Sequence, residues 1–348
     1  MTLQKLKSSD DLPSDPYDFT AQDWLHLFAD RGLFHAMVIT EEVNPSNVFS
    51  IRQALQLTSP TLVLPDPTHP GNNPTFQWLI PNLTAQIHTV ETFSQTEHTY
   101  HEQGYDVTKA NIGVPGIFSV SHEHDHEYTK DQSFSETDYF VTSMYRVPKL
   151  EIGFSDGAMT LTDDFVSALR EASTLGVNDA RSYGRIVSVL NDWGHYYVKK
   201  LDLGGLLFGT DSKKVTSLSQ GQSFSDSVST GFEVKLEVED VPISGGANNG
   251  HGHGSSSNDS SVEADNNVTI TVIGGNGSLI GKYPAWADSL NGNYVSWHII
   301  NTLTLEPVIN LIPDKTLRNQ VAAILINKDG VTPYTQTISN DGRDDLND

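Results

Sequence analysis

The chain has 348 residues, 37% of them hydrophobic, with 21 Lys and Arg against 44 Asp and Glu, a formal charge of −23. That charge argues against nucleic acid, whose binding depends on neutralising phosphates, and against electrostatic capture by anionic lipid. The absence of cysteine excludes a disulfide scaffold and any thiolate metal ligand or nucleophile.

Length and composition fit one large domain, expected over 17–330, between a polar N-terminus (1–16) expected to be disordered and an acidic tail (331–348). The first 16 residues show no apolar leader core, and no run approaches the roughly 18 apolar residues of a membrane-spanning helix. The expectation is a secreted or released soluble protein that becomes membrane-associated, with cytoplasmic storage or non-classical release as the route.

In chain order, Thr20 followed by Asp23 forms a capping box, and Trp24, Leu25 and Phe28 fall at helical spacing before Gly32. Between 33 and 90, short apolar runs (Ala36 to Ile39, Leu62 to Leu64) alternate with Pro, Gly and Asn, as strands and loops do. Thr162 reads as an N-cap for a helix carrying Phe165, Ala168, Leu169 and Ala172 on one face. A second helix presents Tyr183, Ile186, Val187 and Leu190, and a last one near Pro313 to Asn327 presents Leu317, Val321 and Leu325.

Two stretches alternate with period two. Val228, Thr230, Phe232, Val234, Leu236 and Val238 share one parity against Glu233, Lys235 and Glu237, which favours a strand over a helix. Beyond a Gly- and Ser-rich insert (244–261), Val262, Ala264, Val268, Ile270 and Val272 repeat the alternation. Two such arms around a polar tip describe a hairpin; an ordinary amphipathic hairpin on a sheet surface has the same pattern.

Earlier, Phe118, Val120, His122, His124, His126 and Tyr128 share one parity. Imidazole and carboxylate are zinc ligands, so His122, His124 and His126 are weak metal candidates and support a histidine-centred interaction module as a third reading. Their spacing matches neither HExxH nor the HxHxDH of metallo-β-lactamase-like hydrolases. No nucleophile elbow, P-loop or dinucleotide fingerprint appears in context, so neither enzymatic activity nor a cofactor is expected.

At Trp193 the chain reads WGHYYVKKLDLGG. This resembles the signature of the membrane attack complex/perforin (MACPF) family: aromatic, Gly, Thr or Ser, His, aromatic, six residues, Gly-Gly. Trp193, Gly194, Tyr197, Gly204 and Gly205 match, while His195 and Tyr196 stand where the family has Thr or Ser and then His. The stretch from Thr129 to Val147 is similar to the end of the family's first transmembrane-hairpin cluster and the strand after it. Val272 to Asn293, with Gly274, Gly275 and Trp286 to Leu290, is similar to its last core strand and the segment beyond that strand, and Thr302 to Ile312 to its closing segment.

The resemblance, specific over about 111–327, implies an α+β fold: a bent, twisted four-stranded antiparallel central sheet with flanking helices. It implies two transmembrane-hairpin clusters, about 118–140 and 219–267, helical or irregular before insertion, and places Gly204, Gly205, Gly274 and Gly275 near the bend. Candidate membrane-facing residues are then Phe118, Val120, Tyr139, Val141, Val228, Phe232, Val234, Leu236, Val238, Val262, Val268, Ile270 and Val272.

The implied function is that of a cytolytic, toxin-like pore former that assembles a homo-oligomeric ring on a lipid membrane and inserts two β-hairpins per subunit. A separate lipid-targeting partner protein, as for fungal pleurotolysin B-type components, fits the pattern. The alternative is a non-lytic relative acting in development, adhesion or assembly.

Overall fold

The computed structural model describes residues 18–39, 48–58, 76–78, 87–92, 98–100, 133–154, 156–236, 268–280, 282–291 and 293–327. Helix α1 (Ala21–Asp30) starts at the capping box: the Thr20 hydroxyl accepts from the Asp23 amide, and the Asp23 carboxylate accepts from the Thr20 amide at 2.9 Å. Its buried stripe contains Trp24, Leu27 and Phe28. The run Ala36 to Ile39 forms no regular strand; Met37 makes single bridges to Phe49 and Tyr196.

Two long antiparallel strands organise the rest, β4 (Ser133–Gly153) and β6 (Tyr196–Ser217). At about 3.3 Å per residue each is roughly 70 Å long. On the outer edge of β4 lie β2 (Phe76–Trp78) and β3 (Ile87–Thr92), one beyond the other. On the outer edge of β6 lie β8 (His298–Pro307) and β7 (Thr269–Ile273). The expected four-stranded sheet is therefore a six-stranded one among the described residues: four wide, as β2-β4-β6-β8 at one level and β3-β4-β6-β7 at the next. A separate pair joins β1 (Leu55–Leu57) to β5 (Met159–Leu161).

The levels change where the β4–β6 ladder slips between Pro148 and Leu150, opposite Gly204. Odd-numbered residues above that slip, including Tyr139, Val141, Tyr145 and Val147 on β4 and Leu207 on β6, face the main core. Met144, Leu206, Phe208 and Ile300 form a smaller cluster of their own. At the lower end gather α1, α2 (Asp163–Ala172) and α3 (Ala180–Trp193), with α6 (Lys315–Ile326) against α3. Thr162 occupies the N-cap position of α2 without capping it, because its hydroxyl donates to the Gln53 carbonyl instead.

Two expectations are corrected. The first cluster was expected to run to 140, but Ser133 to Phe140 already belong to β4; Tyr139 begins the alternation that buries one face of that strand. The remainder, 118–132, lies outside the described residues. The period-two segment from Val228 is also not a strand here, because Leu218–Lys235 is an α-helix, α4. Val228, Phe232 and Leu236 are four apart, so they share a helical stripe as readily as a strand face. The family resemblance expected 219–267 to be helical or irregular; the described part of that stretch forms α4, and 237–267 lie outside the described residues.

Candidate functional site

The signature residues fasten the lower end of β6. Trp193 ends α3 stacked on Phe165, ring centroids 5.0 Å apart and planes 5° from parallel, with the Arg52 guanidinium over its ring. Gly194 turns the chain out of the helix, and Tyr196 bridges to Met37. His195 is buried; its Nδ1 accepts from the Ile39 amide at 3.1 Å, so Nε2 carries the proton and donates to Asn191 Oδ1 at 2.9 Å. Burial holds its imidazole down at about 4. The Tyr197 hydroxyl donates to Glu306. Neither Asn191 nor Phe165 stood out in the sequence as a partner, since contact across the fold left no local signal.

Higher up, the structure brings Gly204, Gly205, Gly274 and Gly275 together at the change of level. A methyl group at Gly205 would sit 2.6 Å from Leu290 Cδ1 and 2.9 Å from Trp286 Cζ2, so any side chain there forces those buried residues to move. Gly274 follows β7 with φ at +77°, and its carbonyl accepts from Trp286 Nε1 at 3.1 Å. Trp286 and Tyr283 belong to the short helix α5 (Tyr283–Asp288), where the Tyr283 hydroxyl meets that of Tyr145. Lys149, the extra residue of the slip, donates to Asn291 Oδ1 at 2.7 Å, and burial lowers its pKa against the opposing pull of Asp288.

Above this junction α4 lies on the core face of β4 and β6. Gly221, Phe224, Ser225, Val228, Gly231 and Phe232 form its buried side, and Phe232 and Val268 meet over Gly209. Gly221 rests on the Tyr139 ring, and the Thr89 and Ser229 hydroxyl oxygens are 3.4 Å apart. Lys235 donates to the Val268 carbonyl, tying the end of the helix to the start of β7.

The candidate membrane-facing residues divide accordingly. Tyr139, Val141, Val228, Phe232, Leu236 and Val268 are buried, Ile270 and Val272 half-buried, and Val234 is 62% exposed. Phe118, Val120, Val238, Val262, His122, His124 and His126 lie outside the described residues. Among the described residues there is no metal-ligand cluster of three or more His, Cys, Asp or Glu, and no helix long and apolar enough to cross a membrane.

This is an α+β architecture whose helix α4 links two hydrogen-bonded antiparallel neighbours, β6 and β7. Residues 79–321, well over half of the chain, match the family model described as a fungal MACPF-like domain, and the chain belongs to that family. No curated protein matches it. Solved structures similar to it include GNIP1Aa from Chromobacterium piscinae (14% identity, TM-score 0.38, 83% of this chain and 52% of that one). A MAC/perforin-domain protein from Bacteroides thetaiotaomicron is 13% identical, with TM-score 0.39 over 92% of this chain and 63% of that one. Vertebrate astrotactin-2, a perforin-like membrane protein involved in neuronal development, is 11% identical, with TM-score 0.36 over 85% and 45%. The chain thus spans less than two thirds of the length of these three.

Proposed function

We propose that this chain is a pore-forming subunit that assembles into a ring on a target membrane and there converts two segments per subunit into strands of a β-barrel. One observation carries the reading: α4 is a helix whose sequence also encodes a strand. Its stripe Val228, Phe232 and Leu236 is buried against the sheet, while Val234, of the same strand parity, is left exposed. In a helix that valine serves no packing purpose; in a strand it completes an apolar row.

Topology supports the conversion. Helix α4 begins at the residue after β6, and β7, its next described strand, pairs with β6, so straightening the connection lengthens an existing hairpin. The connection from β3 to β4 leaves the sheet at the same end, since Thr92 pairs with Phe140 and Thr210 with Thr269. In lipid, strands must close into a barrel to satisfy their backbone, which requires neighbouring copies. The parity carrying Glu233 and Glu237 would line the lumen and favour cations. With a charge of −23, recruitment falls to neutral lipid, a receptor or a separate lipid-targeting partner protein.

The test is a reversible lock. The chain has no cysteine, so the double substitution Thr89→Cys and Ser229→Cys places a single disulfide between β3 and α4, where the two hydroxyl oxygens are 3.4 Å apart. Dye release from vesicles of phosphatidylcholine, sphingomyelin and sterol is expected to be absent when oxidised and restored by reductant. Equal release in both states would refute unfolding of α4. No release by the unsubstituted chain, alone or with a lipid-targeting partner, would support the non-lytic alternative.

A further inference from the structure

The imidazole of His195 joins parts of the chain that the backbone alone holds together sparsely. Its Nδ1 takes the Ile39 amide and its Nε2 reaches Asn191 on α3, while its own amide donates to Met37 O and its carbonyl accepts from Val308 N. The segment Ala36 to Ile39 makes no strand; Met37 exchanges backbone bonds with Tyr196 and accepts the His195 amide, Val48 and Ser50 are backbone partners of Val38 and Ala36, and the Tyr100 hydroxyl donates to the Val38 carbonyl.

An amide N–H can be satisfied only by the unprotonated nitrogen of the ring. Protonating Nδ1 sets two donors face to face inside a buried site, and the contact must open. We propose that His195 is an acid-sensitive fastener: at neutral pH it clips the segment Ala36–Ile39 to the start of β6, and its protonation releases that segment while the sheet stays paired. This goes beyond pore formation and does not depend on it.

Among the described residues, the two groups that hydrogen-bond to the ring carry no charge: the Ile39 amide from the N-terminal segment and Asn191 from α3. On the same elements, Asp192 of α3 is exposed, Glu306 of β8 is engaged by Lys199 and Tyr197, and His35 Nδ1 donates to the Ser50 carbonyl. Nothing among them stabilises an imidazolium at this position, in keeping with a ring whose burial keeps it neutral down to about pH 4.

The measurement is amide exchange by residue at pH 7.5 and 5.0, corrected for the intrinsic pH dependence. With the ring titrating at about 4 when clipped and near about 6.5 when open, protection at Ile39 is expected to fall about 30-fold, while amides in the middle of β4 and β6 hold theirs. In His195→Asn the side-chain oxygen can accept from Ile39 without titrating, and the fall should disappear. A fall of the same size in that variant, or none in the unsubstituted chain, would overturn the proposal. If the variant does not fold, the His195 ring signal in the unsubstituted protein decides: titration well below 6.5 supports the fastener, and titration near 6.5 removes it.

Discussion

Replacing Val234 by lysine separates the two structures that α4 is proposed to adopt. On the helix Val234 is 62% exposed, so Val234→Lys removes little buried surface; surface changes of this kind stay within about 0.5 kcal/mol, and lysine is the better helix former. In the proposed barrel the same position lies in the lipid-facing row with Val228, Phe232 and Leu236. A lysine near the bilayer midplane there costs about 2–4 kcal/mol per subunit, roughly a 30- to 1,000-fold penalty on insertion, repeated around the ring. Glu233→Lys, one residue away and of opposite parity, falls on the lumen side and serves as control. The assay pairs thermal melts with vesicle dye release: Val234→Lys should melt like the unsubstituted protein yet fail to release dye, while Glu233→Lys remains lytic. Undiminished lysis by Val234→Lys, or equal loss in both variants, would refute the assignment of the apolar row to lipid.

Gly205→Ala should cost about 1–3 kcal/mol in urea denaturation, because its methyl group would meet the fully buried Leu290 at 2.6 Å; a loss below about 0.5 kcal/mol would mean that Leu290 and the adjoining α5 can shift away. Stability should fall with acid: His195 binds its proton at about 4 when folded and near about 6.5 when unfolded. Its contribution is therefore complete above about pH 6.5 and is lost as the pH falls toward 4, with about 2 kcal/mol gone at pH 5. Denaturation at pH 7.5 and 5.0 checks this, with His195→Asn expected to lack that component. Thr20→Ala should lower stability by about 1 kcal/mol by removing the hydroxyl half of the α1 capping box; an unchanged midpoint would place the burden of that helix on Trp24 and Phe28.

Local signals were legible in the sequence and cross-chain ones were not. The Thr20–Asp23 box and the stripes of α2, α3 and α6 each lie within a single helix, so they could be read directly. Thr162 shows the limit of such reading, since its hydroxyl is diverted to Gln53, more than a hundred residues earlier in the chain. The convergence of Gly204, Gly205, Gly274 and Gly275 came from family resemblance rather than spacing, and the reason for it, Trp286 and Leu290 pressed on Gly205, is a tertiary contact. Helix α4 misled by parity because a four-residue repeat is also an even one. The family resemblance, which expected 219–267 to be helical or irregular, agrees with the helix found over Leu218–Lys235.

The register between β6 and β7 has a geometric consequence for any hairpin built from them. Thr210 faces Thr269, Gly209 faces Ile270 and Leu207 faces Val272, so an odd-numbered residue of the first arm always shares its side of the sheet with an even-numbered residue of the second. The apolar row of α4 is even, and so is the row Val268, Ile270 and Val272. Simply zipping the present ladder onward would point one row to each side, leaving neither surface fit for lipid. Bringing both rows to the same side takes an odd number of inserted residues, one β-bulge at least, between Thr210 and Val228. A barrel strand drawn from this chain is thus a frameshifted continuation of β6, with the offset located within the first ten residues of α4 or the seven that precede it.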